Sequence, residues 1–358
     1  MGMTTTPARL VSPVSSVTAD TVVTFEGPYD LPRTLGVLQR GSGDPAVRVD
    51  PGDFPGGARG TPGAGAWMCQ RLGPDDDPGA GQGQVLYRFD QLTASQVRVR
   101  VAVSAESLVH TALNRAAMIL GAHDDWCELE MLLDALGDRV SLKLASLRRQ
   151  HPGLRLPATG ALFDQLVTVT LEQKVTHEQA RYAWRNLLRR YGERPLSASG
   201  LAAPEWMRLP LTAEQLRAVA SWQWHSLWVQ PPLSRTVQRL AHRAGTIHQL
   251  GASTPVDTSD VEQLAERLQS VAGIGPWTVA EALQRSHGAA DLPAVGDYHL
   301  AHFVGEALTG RRTDDDGMLQ LLEPFRPHRQ RVVRLLVLSG FRMSRYGPRL
   351  APEDHRGR

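Results

Sequence analysis

Leu268-Gln-Ser-Val-Ala-Gly273-Ile274-Gly275-Pro276-Trp277-Thr278 is followed, 22 residues after its second glycine, by Asp297 in Pro293-Ala-Val-Gly-Asp-Tyr-His-Leu300. Upstream, Val261, Leu264, Leu268 and Val271 recur at helical spacing. Downstream, Pro276 stands in the first turn of a second helix, where a missing N–H costs nothing. Gly273, Ile274 and Gly275 therefore join two helices. Glycine lets such a corner turn sharply and approach a partner closely, and the amides opening the next helix point outward with the positive end of its dipole. The corner suits a phosphate, although a G-x-G between helices is equally the pattern of a plain αα-turn with a glycine cap. Asp297 likewise reads either as a functional carboxylate or as the N-cap of a helix over 298–309.

The combination of helix, Val-Ala-Gly-Ile-Gly-Pro-Trp-Thr, helix, short loop, Gly-Asp-Tyr and helix resembles the helix-hairpin-helix DNA glycosylase superfamily. Further segments resemble bacterial 3-methyladenine DNA glycosylase II in the same order: His151-Pro-Gly-Leu-Arg-Leu-Pro157, Phe163-Asp-Gln-Leu-Val167, Leu171-Glu-Gln-Lys-Val-Thr176 and Tyr191-Gly-Glu-Arg194. The similarity covers roughly residues 20 to 342 and is strongest from His151 to Phe341.

Length and composition agree with this without demanding it. The 358 residues suffice for two or three domains, and no run approaches the ~20 apolar residues of a membrane span. Residues Met1 to Asp20 show no apolar secretory segment, so a cytoplasmic enzyme is expected. Cys69 and Cys127 are the two cysteines, which excludes the four thiolates of an iron–sulfur cluster, and no cofactor or metal is expected. A net charge of +2 does not by itself imply nucleic acid. Its distribution is uneven: seven arginines and no acid lie between Phe325 and Pro352. That run reads either as a solvated helix face with a basic tail or as a phosphate-facing edge.

The expected fold is α+β. After a loose segment 1–20, a small antiparallel sheet domain spans 21–104. Its strands lie at Thr21–Phe25, Ala66–Cys69, Gln84–Phe89 and Gln96–Val101, with one helix near Leu31–Gln39 and loops at Gly41–Gly65 and Leu72–Gly83. Helices then follow at about 105–121, 124–136, 139–150, 160–174, 177–191, 212–222, 234–250, 258–270, 276–287, 298–309, 315–322 and 328–340. The resemblance implies a two-lobed body: one helical lobe over 105–225, a helix-hairpin-helix lobe over 226–342, and a cleft between them. A basic tail, 343–358, completes the chain.

Hydrolysis of an N-glycosidic bond builds positive charge on the sugar, so the site needs a carboxylate near the anomeric carbon and a water that can attack. Asp297 is the candidate, at a helix start that stabilises negative charge. Relatives that also cut the strand carry a Schiff-base lysine two residues after the second hairpin glycine, a position that is Trp277 here. A monofunctional glycosylase is implied. Its substrate would be an alkylated purine in double-stranded DNA, flipped out of the stack. Trp277 is the aromatic expected to recognise a cationic base. Glu281 and His328 stand where relatives carry pocket aromatics, which makes the expected pocket more polar and leaves a neutral deaminated or oxidised base, or structural binding of damaged DNA, as alternatives. DNA contacts are expected from Gly273, Ile274, Gly275 and Thr278. Gln173 matches the family's glutamine on the loop that replaces the extruded base, and Lys174 occupies the place of an apolar wedge. The aromatics Tyr182, Trp184, Trp222, Trp224 and Trp228 read mainly as core. A monomer is expected.

Overall fold

The computed structural model describes residues 16–52, 63–73, 83–254 and 260–343. Strands β1 (Val17–Thr24), β2 (Val47–Asp50), β3 (Gly65–Leu72), β4 (Gly83–Gln91) and β5 (Gln96–Val103) form one antiparallel sheet in the order β1-β5-β4-β3-β2. Tyr87 pairs with Val101 and Phe89 with Val99. These four side chains are fully buried, as alternation predicts for the covered face of a sheet. The short helix α1 (Leu31–Leu35) is capped by Asp30, which accepts from the Arg33 amide.

The N-terminal boundary differs from expectation, because β1 begins at Val17, inside the segment read as loose. Strand β2 was not expected either. It lies within Gly41–Gly65, where four residues of strand are outweighed by turn formers. Residues 1–15, the loop centres 53–62 and 74–82, and the basic tail beyond Met343 lie outside the described residues.

The body is helical: α2 (Val109–Ile119), α3 (Cys127–Leu136), α4 (Arg139–Gln150), α5 (Leu162–Thr170), α6 (His177–Tyr191), α7 (Ala213–Ala218), α8 (Ser221–Ser226), α9 (Pro231–His242), α10 (Ala244–Ser253), α11 (Asp260–Gln269), α12 (Pro276–Ser286), α13 (Leu300–Thr309), α14 (Asp315–Leu322) and α15 (Arg329–Leu338). Two departures stand out. The stretch read as one helix over 234–250 breaks at Arg243 into α9 and α10, and α8 is additional. Trp222, on α8, is exposed, whereas Trp184 and Trp224 are core.

The core has two parts that do not follow chain order. Residues of the sheet, α1, α2 and α5–α12 share one apolar cluster, with α5 buried on nearly every side. A second cluster joins α3 and α4, from the middle of the chain, to α13, α14 and α15. The seam between the clusters runs beside α12: Val279, Ala282 and Leu283 face the first, leaving Glu281, Gln284 and Arg285 toward α13 and α15 across a cavity.

Candidate active site

The hairpin is held by its apolar residues. Val271 and Ile274 are buried, and the Ile274 amide donates to the Val271 carbonyl across 2.9 Å. Ile274 thus anchors the turn with its side chain and offers only backbone to a ligand. Gly273 adopts φ +96°, a conformation that favours glycine. It also packs against α9 so closely that a Cβ would collide with the Thr236 hydroxyl. Helix α12 then starts at Pro276 with no side-chain cap. Among the described residues nothing accepts from the amides of Gly275, Trp277 and Thr278. These donors are available to an anion.

Gln173 and Thr278 are bonded to each other instead of standing free. The Gln173 side-chain amide donates to Thr278 Oγ1 at 2.8 Å and to the Gly273 carbonyl at 2.9 Å. Thr278 is only 2% exposed. The glutamine therefore fastens its loop to the hairpin. Next to it, Lys174 is exposed with φ +52°, and Glu172 receives Arg40 at 2.9 Å.

Asp297 combines both readings of its sequence position. Its Oδ1 accepts from the amides of His299 (2.8 Å) and Leu300 (2.9 Å), capping the turn that leads into α13. Oδ2 accepts the indole N–H of Trp277 at 3.2 Å. The same carboxylate lines a cavity of about 650 Å³ walled by α12, α13 and α15. Gly296, at φ +89°, makes the reversal that turns Asp297 back toward α12.

Glu281 lines this cavity too, paired with Arg285 at 2.7 Å. Burial works against its charge, but Arg285, Arg40 and Arg334 outweigh it and hold the carboxyl below its ordinary range. Arg334 lines the same wall, and no carboxylate lies within ion-pair distance of it among the described residues. Burial, reinforced by Arg285, brings its guanidinium down to about 10. Gln284, Gln330, Phe303 and Phe341 complete the polar and aromatic lining.

Two expected site residues stand apart from the lining. Trp277 reaches it only through its bond to Asp297. His328 is 2% exposed, bonded through Nδ1 to Arg331 (2.8 Å) and 3.4 Å from Glu128. It faces the Asp124–Arg331 pair on the other side of α15. The cavity residues of α15 that were missed, Gln330 and Arg334, share a helical face with Val333 and Val337, so a polar interruption of that apolar stripe was the available signal.

The arginine run after Phe325 is not a free phosphate-facing edge in its first half. Arg326 reaches Glu262 (3.1 Å), Arg329 reaches Asp291 (2.7 Å) and Arg331 reaches Asp124 (2.5 Å). Of the others, Arg334 and Arg342 line the cavity, while Arg345 and Arg349 lie outside the described residues.

Compared with solved structures, the chain matches DNA glycosylases over most of its length. The 3-methyladenine DNA glycosylase from Archaeoglobus fulgidus aligns with 88% of this chain and 97% of its own, at TM-score 0.66 and 14% identity. The apo-form 8-oxoguanine glycosylase/lyase of Clostridium acetobutylicum aligns over 82% and 98%, at TM-score 0.53 and 11% identity. The same enzyme with double-stranded DNA holding cytosine opposite 8-oxoG gives 72% and 85%, at 0.50 and 10%. The chain has the α+β fold of these DNA glycosylases. No protein-family model and no curated protein matches the sequence. Among the described residues no helix is long and apolar enough to cross a membrane.

Proposed function

We propose that this protein is a monofunctional DNA glycosylase that accepts a flipped, damaged base in the cavity beside α12 and hydrolyses its N-glycosidic bond with Asp297. One observation carries the reading: a carboxylate on the wall of a cavity roomy enough for a base is oriented by Trp277, two residues after a glycine corner with unpartnered amides. The corner would grip a phosphate of the damaged strand. Asp297 would stabilise the cationic sugar and orient or deprotonate the attacking water. Water is the nucleophile because Trp277 replaces the Schiff-base lysine; of the two lysines in the chain, Lys143 bonds the Ala307 carbonyl and Lys174 is not among the residues that line the cavity.

The preferred substrate is an alkylated purine of the 3-methyladenine type, the activity in the name of the A. fulgidus structure. Its positive charge makes the base a good leaving group, and Phe303, Phe341 and the Glu281 carboxylate suit a cationic ring. A second reading, a neutral deaminated or oxidised base, is favoured by Arg334, a donor on the cavity wall that would meet a base carbonyl. The deciding experiment treats alkylated genomic DNA with the protein and identifies released bases by mass spectrometry, with D297N alongside. Release of methylated purines by wild type alone supports the first reading. Release confined to uracil- or hypoxanthine-containing duplexes supports the second, and no release of any base overturns both. Borohydride trapping of a covalent DNA adduct would overturn the monofunctional mechanism.

A further inference from the structure

No acidic residue occurs between Glu214 and Asp257. Helix α9 lies in the middle of this stretch, and its buried face is Leu233, Thr236, Val237, Leu240 and Ala241. The opposite face carries Arg235, Arg239, His242 and Arg243, all exposed and spaced to share one side of the helix. No carboxylate pairs with any of the three arginines among the described residues. Elsewhere on the molecule, three of the arginines after Phe325 are paired with Asp124, Asp291 and Glu262. Like charges four residues apart destabilise a helix, so an unneutralised row is a cost that a polyanion would relieve.

The row is continuous with the hairpin. Arg239 donates to the Ala272 carbonyl at 3.2 Å, and Thr236, one turn away, is the residue against which Gly273 packs. The open amides of Gly275, Trp277 and Thr278 therefore adjoin the basic face. Arg235 to Arg243 spans about 12 Å of helix axis. One DNA strand presents a phosphate every ~3.4 Å of duplex axis, so the row spans about three to four phosphate steps.

We propose that α9 is a second phosphate-contacting surface, on which the undamaged duplex flanking the lesion rests against Arg235, Arg239 and Arg243. The proposal rests on the glycosylase reading for its ligand and extends the interface beyond the hairpin.

The test is fluorescence anisotropy of a short undamaged duplex across about 50 to 200 mM salt, where phosphate contacts dominate. The variant is Arg235→Ala with Arg243→Ala, since Arg239 also holds the hairpin. The expected result is about tenfold weaker binding and a salt slope shallower by about 1.8, at about 0.9 per contact. Arg139→Ala with Arg194→Ala, exposed arginines elsewhere, removes the same charge and should keep the wild-type slope. Equal losses in the two pairs, or no loss in the first, would overturn the proposal. Should the alanine pair melt early, Arg235→Gln with Arg243→Gln gives the same reading. Base release with α9-independent binding removes this surface and leaves the glycosylase; α9-dependent binding without base release does the reverse.

Discussion

The indole nitrogen of Trp277 and the Oδ2 of Asp297 lie 3.2 Å apart, joining the first turn after the hairpin to the carboxylate 20 residues later. The glycine corner and the candidate catalytic group are thus one mechanical unit. A strand gripped at the hairpin would be registered against Asp297 by a single hydrogen bond, while Asp297 is held from the other side by two backbone amides.

Replacing Asp297 by Asn keeps an oxygen for the His299 and Leu300 amides, but turns an N–H₂ group toward the Trp277 donor. The cap survives, since Asn and Asp cap helices about equally. Base release is expected to fall by about 10²- to 10⁴-fold, the range for loss of a positioned acid or base. Single-turnover release with a matched thermal melt checks this. An Asn variant with normal turnover removes Asp297 from the mechanism.

Trp277→Phe deletes the donor while keeping most of the ring. If the indole positions Asp297, kcat should drop roughly tenfold with little change in DNA affinity, an interaction worth about 1–1.5 kcal/mol. A loss confined to KM would instead assign the ring to binding the base.

Gly273→Ala meets two obstacles, a φ of +96° and the Thr236 hydroxyl. Together they should lower stability by about 1–3 kcal/mol and weaken DNA binding. Adding Thr236→Ala removes the collision but not the backbone strain, so it should restore only part of the melting temperature. Full restoration would show that φ at this corner is immaterial.

The legible parts of the molecule were those written locally. Helix α6 runs from His177 to Tyr191 as expected because Thr176 and Gln179 form a reciprocal capping box and Gly192 follows it. The hairpin was legible for the same reason, with glycine, buried apolar residues and proline in order. Helix α10 was misjoined to α9 because Arg243 and Ala244 interrupt no apolar stripe strongly enough to be seen. Charge was misread wherever its partner is remote in the chain. Asp124 lies 207 residues before Arg331, so the arginine run gave no sign that its own fold neutralises it. Asp297 and Glu281 of the cavity lining were legible from the motif, but the part from α13 and α15 failed to show for the same reason, since these helices meet α12 only in three dimensions.

His287 should make a definable contribution to the response to acid. His287 is 1% exposed, and burial lowers its imidazole from 6.5 to about 4. Its neutral ring is satisfied by the Gly251 carbonyl (3.2 Å) and the Ser286 hydroxyl (2.8 Å). Between pH 6.5 and about 4 the unfolded chain takes up a proton at this residue that the folded chain refuses, so the His287 contribution to stability falls as pH falls, by ~3 kcal/mol over the window. Burial also lowers His248 and His328, which act in the same direction, while burial raises the Asp164 carboxyl to about 7, which acts in the opposite one. Glu281, whose carboxyl is held low, adds a loss only below its unfolded value of about 4.5. Urea unfolding of wild type and H287N from pH 4 to 7 checks this contribution, the variant losing less stability than wild type on acidification, or gaining more. An unchanged slope in that variant would assign the acid sensitivity elsewhere.

Arg334 decides between the two substrate readings. A guanidinium on the cavity wall without a carboxylate partner would repel a cationic purine and would donate to a base carbonyl. Arg334→Ala should therefore raise release of 3-methyladenine relative to hypoxanthine, with the ratio shifting by about 10-fold or more, as expected when a buried donor is left without its acceptor. Glu281→Gln should shift the ratio the other way and also free Arg285. That variant would lose its buried charge partner, so melting temperature must be followed with release. If neither substitution moves the ratio while total release persists, the lesion is read by Phe303 and Phe341 through stacking, and the charged residues of α12 and α15 serve the fold.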